Sequence, residues 1–120
     1  MRKPHTFHPQ TLDAAMLLGL EVARARRERR WTTNDLSERA GISPVTLRKI
    51  ERGNPTVELG AAFEVATLLG ISLFAADRKE LSTMVEHART RLALLPARVR
   101  EPARKDHDAS VISSFKTTLV

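Results

Sequence analysis

The chain has 120 residues, 42% hydrophobic and 28% charged, with a mean hydropathy of −0.27, which is room for one small core and too apolar for a wholly disordered chain. Lys and Arg number 20 against 14 Asp and Glu, a net charge of +6 and a pI near 10.7, so an anionic partner is favoured without being identified. There is no Cys, which excludes disulfides, thiolate metal sites and thiol catalysis.

Residues 1–10, with two Pro, two His and two basic residues, read as a flexible arm. Thr11 is the expected N-cap of a first helix over 12–30, which closes in an arginine-rich run suited to the negative end of the helix dipole. The apolar stretch 14–20 resembles the core of an export signal, but Glu21 interrupts it and five arginines follow within 24–30. With no run near the roughly 20 apolar residues of a membrane span, the expectation is a cytoplasmic protein with no membrane contact.

Thr32 predicts the cap of a second helix over 33–40, with Asp35 at its third position and Gly41 past its end. Ser43 caps a third over 44–52, with Pro44 at its first position and Gly53 as its stop. Thr56 is expected to cap a fourth over 57–69, ending at Gly70, and Asp77 starts a fifth over 78–95, stopped by Pro96. No alternating run interrupts these elements, so the fold class is all-α with five helices. The expected core takes Leu18, Val22 and Ala25 from the first helix, Leu36 and Ala40 from the second, and Leu47 and Ile50 from the third. Leu59, Phe63, Ala66 and Leu69 form the fourth helix's stripe, with Ile71, Leu73 and Phe74 closing the bottom. This gives an arm at 1–10, a domain at 11–76, a fifth helix at 77–95 and a disordered tail at 96–120. Val111, Ile112, Phe115, Leu119 and Val120 make that tail more apolar than a spacer needs, as in a segment that folds on a partner.

Charge is one-sided. Residues 24–52 carry nine Lys and Arg against four Asp and Glu, whereas 53–95 carry four against five. Such asymmetry is the electrostatic footprint expected of nucleic-acid binding. The basic half also contains two short helices joined by Gly41-Ile42-Ser43, a turn with a Gly, an apolar plug and a cap. That layout is a helix-turn-helix, whose second helix enters the DNA major groove.

Residues 17–74 resemble the phage-repressor/Cro-type (XRE) helix-turn-helix family through Trp31, Thr32, Leu36, Gly41, Ile42, Ser43, Leu47, Ile50, Glu51, Gly53 and Pro55. The resemblance covers about half of the chain. It implies a five-helix, lambda-repressor-like DNA-binding domain, acting as a homodimer on a palindromic double-stranded operator. It also implies a buried salt bridge between Arg26 and Glu51, tying the first helix to the third. Thr33 departs from the family, which commonly has Gln there for a backbone contact. Pro44 departs too, since it cannot hydrogen-bond a base.

With Leu47 and Ile50 buried, helical spacing exposes Pro44, Val45, Arg48, Lys49 and Arg52. Val45 and the Thr46 methyl are placed to meet a thymine methyl, and Lys49 and Arg48 to bond guanine O6 and N7. Thr33, Ser43, Pro44, Arg52 and Asn54 are the expected DNA backbone contacts, which set register without reading sequence. Arg24, Arg27, Arg29 and Arg30 are the exposed arginines of the first helix, either solvated or on phosphates.

Neither a metal site nor an enzyme is expected, and no cofactor. His5 and His8 fall in the arm, His87 and His107 lie far apart, and Asp106-His107-Asp108 lacks a rigid frame. More loosely, the stretch Pro55–Phe74 with the following helix and tail resembles Hip-type antitoxins, whose partner is a kinase-fold toxin. Three readings stay open: an autoregulating antitoxin, a stand-alone repressor, and a protein-interaction module that has lost DNA binding. The stripe Leu81, Val85, Ala88 and Leu92 either forms the dimer contact or packs on the first and fourth helices.

Overall fold

The computed structural model describes residues 6–99, so much of the expected arm and tail, His5, His107 and residues 111–120 among them, lies outside the described residues. Five helices follow one another: α1 (Pro9–Glu28), α2 (Thr33–Ala40), α3 (Pro44–Glu51), α4 (Leu59–Leu68) and α5 (Arg78–Ala93). No strand is present among the described residues; one isolated bridge pairs Leu73 with Ala76. The described residues divide into two compact units, with the boundary between Ser82 and Thr83. The first holds α1 to α4 and the start of α5.

The caps set the helix limits. Thr32 accepts from the Asp35 N–H at 3.0 Å while the Asp35 carboxylate accepts from the Thr32 N–H at 2.8 Å, a reciprocal capping box. Ser43 accepts from the Thr46 N–H at 3.1 Å and precedes Pro44 at the start of α3. Asp77 and Glu80 exchange the same reciprocal bonds at the start of α5, at 2.8 and 3.1 Å.

Two helix starts differ from expectation. His8, not Thr11, is the N-cap of α1, because Pro9 supplies a first-turn residue whose fixed φ and missing N–H suit that position. Thr56 does not cap α4. Its N–H and hydroxyl both donate to Asn54 Oδ1, at 2.8 and 2.6 Å, so the chain turns first and α4 starts after Glu58.

α4 buries a different face from the expected stripe. Its buried residues are Ala62, Val65 and Ala66, followed by Leu69, while Leu59 is 67% exposed and Phe63 half-buried. Phe74 does not close the core either. Phe74 and Ala75 both have positive φ, 56° and 54°, in a tight turn whose Ala76 N–H donates to the Leu73 carbonyl at 3.1 Å. The turn buries Ala76 and leaves Phe74 73% exposed, its ring edge-on to Phe63 at 6.4 Å.

Val22 and Ala25 of α1, Leu36 of α2, Leu47 and Ile50 of α3, and Ala62, Val65 and Leu69 form one buried cluster. Leu18, Trp31, Ala40, Ile42, Val57 and Ile71 pack against it. Fully burying a Leu or Val side chain stabilises by about 1.5–3 kcal/mol, so this cluster holds α1 and α2 on α3 and α4 on α2. α5 buries none of its residues.

Candidate nucleic-acid interface

The turn between α2 and α3 is built by backbone hydrogen bonds. Gly41 has φ +70°, its N–H donates to the Glu38 carbonyl at 3.2 Å, and the Ile42 N–H donates to the Ser37 carbonyl at 3.0 Å. This closes α2 with a left-handed residue and aims the chain into α3. Leu36 and Leu47 are both fully buried across the turn and Ile42 is packed on the core, so the pair behaves as one rigid unit.

On α3, Val45 is 52% exposed, and Arg48, Lys49 and Arg52 are exposed. Pro44, by contrast, is half-buried at the first position of α3. Thr46 is half-buried too, and its hydroxyl accepts from Ser43 Oγ at 3.0 Å. Thr33 is half-buried at the first position of α2. Asn54 is half-buried, its Oδ1 committed to Thr56 and its N–H to the Lys49 carbonyl at 3.0 Å.

These residues fall on two flanks of α3. Ser43, Thr46 and Lys49 line a groove of about 480 Å³ with Ile42, Thr56, Val57 and Glu58. Arg48 and Arg52 line another, of about 700 Å³, shared with Leu20, Ala23, Arg24 and Arg27 of α1. Arg48, Lys49 and Arg52 have no carboxylate partner among the described residues.

Arg26 and Glu51 join α1 to the end of α3. Arg26 Nε donates to Glu51 Oε2 at 2.7 Å and Nη2 to Oε1 at 3.0 Å, with the two side chains 11% and 13% exposed. A third donor, Nη1, reaches the Trp31 carbonyl at 2.9 Å. The bonds to Glu51 raise the guanidinium's pKa above its ordinary value, outweighing the opposing effect of burial. Two parallel bonds of this kind also fix orientation, not only distance.

A helix-turn-helix family model matches residues 22–75. An uncharacterized HTH-type transcriptional regulator of Sinorhizobium fredii is 40% identical over 63 residues, spanning 51% of this chain and 79% of that protein. The chain belongs to the XRE-type helix-turn-helix family. No solved structure gives a significant match.

Within this helix-turn-helix protein two structural features escape sequence reasoning. The first is Gly19, inside α1, where a Cβ would overlap the Ile50 carbonyl oxygen and lie 2.8 Å from that of Glu51. Only a residue without a side chain lets α1 lie this close to the last turn of α3. Gly53, with φ +77°, repeats the device, since a Cβ there would lie 2.7 Å from the Met16 Cα. A glycine in mid-helix is the only signal, and it cannot say which backbone approaches it.

The second is the fate of the arginine cluster. Arg24 is held by Glu21 at 2.6 Å and by Glu28 at 3.0 Å. Arg29 donates to the Ala25 and Leu69 carbonyls at 3.0 and 2.9 Å, bonding the end of α1 to the end of α4. Its guanidinium also lies 5.6 Å from the centre of the Trp31 ring, which Arg39 of α2 approaches at 4.3 Å. Arg29 is therefore a structural residue rather than a free surface cation. The i, i+3 and i, i+4 spacing of Arg24 with Glu21 and Glu28 is visible in the sequence, whereas the Arg29 bond to Leu69 spans 40 residues and is not.

Proposed function

We infer that the chain is a sequence-specific DNA-binding transcriptional regulator, a repressor acting as a homodimer on a palindromic operator. The observation that carries this reading is the exposed ridge of α3: Val45, Arg48, Lys49 and Arg52, with no carboxylate partner for its cations among the described residues, on a helix locked to its neighbours. α3 lies in the major groove, where Lys49 and Arg48 bond guanine O6 and N7 and Val45 and the Thr46 methyl meet a thymine methyl. Thr33, Ser43, Pro44, Arg52 and Asn54 lie along the phosphates and set the register. Arg26 and Glu51 touch no base; they hold α3 at its angle.

Two-fold symmetry places the recognition helices about 34 Å apart, one DNA turn. The apolar residues of α5 supply the contact between copies: Leu81 is half-buried, Val85 50% exposed, Ala88 exposed and Leu92 70% exposed. A second role, as the antitoxin of a kinase-fold toxin, is favoured by Phe74, which a positive-φ turn holds 73% exposed.

The test is binding to DNA from immediately upstream of the chain's own gene, against scrambled duplex, across a salt series. The expected result is a preference for the upstream DNA with affinity falling steeply in salt. Equal weak binding to both overturns the reading and leaves the protein-interaction role. Analytical ultracentrifugation of the free protein checks the dimer.

A further inference from the structure

The groove between α1 and α3 has a use that the helix-turn-helix alone does not require. It is lined by Leu20, Ala23 and Arg27 from α1 and by Arg48 and Arg52 from α3. Two carboxylates also line it, but both are occupied: Glu51 by Arg26 and Glu28 by Arg24. Three guanidinium groups therefore face one groove of about 700 Å³ with no carboxylate partner among the described residues. Arginines concentrated this way repel one another unless an anion lies between them. The planar fork of each guanidinium matches a pair of phosphate oxygens.

The geometry points to this groove as a seat for a DNA phosphodiester backbone held by Arg27 and Arg52, with Arg48 left to the bases, so that Arg27, outside the helix-turn-helix, grips the same duplex that α3 reads. The inference rests on the DNA-binding reading above. It follows from which arginines are already committed: Arg24 to Glu21 and Glu28, Arg26 to Glu51, Arg29 to two carbonyls. Arg24 and Arg27 of α1 both line the groove with the free cations of α3, and of the two only Arg27 has no carboxylate partner among the described residues. An acidic protein segment would meet the same charges. DNA is the better occupant because Arg48 and Arg52 stand on the recognition helix itself, beside Val45 and Lys49.

The experiment compares wild type, Arg27→Ala and Arg27→Lys on the upstream and the scrambled duplex across a salt series, with thermal unfolding of each variant as the folding control. Arg27→Ala is expected to flatten the slope of log affinity against log salt by about 0.9. It should leave the preference for upstream DNA unchanged, and Arg27→Lys should keep the wild-type slope. An unchanged slope in Arg27→Ala, with wild type still preferring upstream DNA, overturns the groove while the DNA-binding reading stands. A lowered slope on both duplexes without any sequence preference keeps the groove and sinks only the specific reading. If wild type binds neither duplex, both fall.

Discussion

Arg26 of α1 and Glu51 at the last position of α3 meet through two nearly parallel bonds of 2.7 and 3.0 Å, and the same guanidinium holds the Trp31 carbonyl at 2.9 Å. One side chain thereby fixes the end of the recognition helix and the turn that leads into α2. Removing it leaves Glu51 largely buried without a partner, which costs far more than the net worth of the intact pair. Arg26→Ala is expected to destabilise the fold by roughly 3–5 kcal/mol. Arg27→Ala, at an exposed position, should stay within about 0.5 kcal/mol. Parallel thermal unfolding decides it, and equal melting temperatures for the two variants would contradict the structural role of Arg26.

Lys49→Ala should weaken operator binding by roughly 1–3 kcal/mol and relax the preference at one base position. Binding measured on a set of singly substituted operators separates the outcomes. A uniform loss on every sequence would move Lys49 from the bases to the phosphates.

Gly19→Ala places a methyl against the Ile50 and Glu51 carbonyls. Because both obstacles are backbone, no side chain can swing aside, and α3 itself must shift. The expected cost is about 1–3 kcal/mol, accompanied by loss of operator binding even at temperatures where the variant stays folded. Wild-type affinity in this variant would show that α1 yields instead of α3.

Arg30 has φ +60° and stands where helices usually end in glycine. The Arg30 N–H donates to the Arg27 carbonyl at 3.0 Å and the Trp31 N–H to that of Arg26 at 3.1 Å, the same closing pattern that Gly53 and Gly70 make at α3 and α4. Arg30→Gly removes the left-handed penalty and should stabilise by about 1 kcal/mol. Denaturant unfolding with an unchanged m-value checks it, and a loss of stability would refute it.

Asp35 is held below its ordinary pKa of 3.8, first by the Thr32 N–H and then by the Thr32 hydroxyl. A carboxylate whose folded pKa lies below its unfolded one adds stability that is fully present above the unfolded value and disappears as pH falls through the folded one. Wild type should therefore lose stability below about pH 4 more steeply than Asp35→Asn, which cannot titrate there. Melting temperatures measured from pH 6 downwards give both slopes; identical slopes would rule out the capping carboxylate as a source.

The limits of α2 and the start of α3 were legible because each carries its own local chemistry: the Thr32 and Asp35 pair, Gly41 after the last turn, Ser43 before Pro44. At α1 and α4 the expected threonine caps are displaced, and neither helix has a side-chain cap at its start. Thr11 lost to the proline two residues before it, and Thr56 to Asn54, whose side chain reached it first. The exposure of Val45, Arg48, Lys49 and Arg52 follows from helical spacing once Leu47 and Ile50 are buried. How α1 approaches α3, and the bond that ties Arg29 to the Leu69 carbonyl, depend on residues 25 to 40 positions apart, and no local pattern encodes that, whereas the Arg24 pairs with Glu21 and Glu28 lie within one turn.

Trp31 is the chain's one tryptophan, and there is no tyrosine. Its ring has the guanidinium groups of Arg29 and Arg39 against it, and Arg29 is in turn bonded to the end of α4. Nearly all of the protein's fluorescence and near-ultraviolet absorbance therefore originates at the junction of α1 and α2. An optical melting curve will register when that junction opens, and a heat-capacity scan will register when the whole domain does. Agreement between the two traces would mark the junction as part of one cooperative unit.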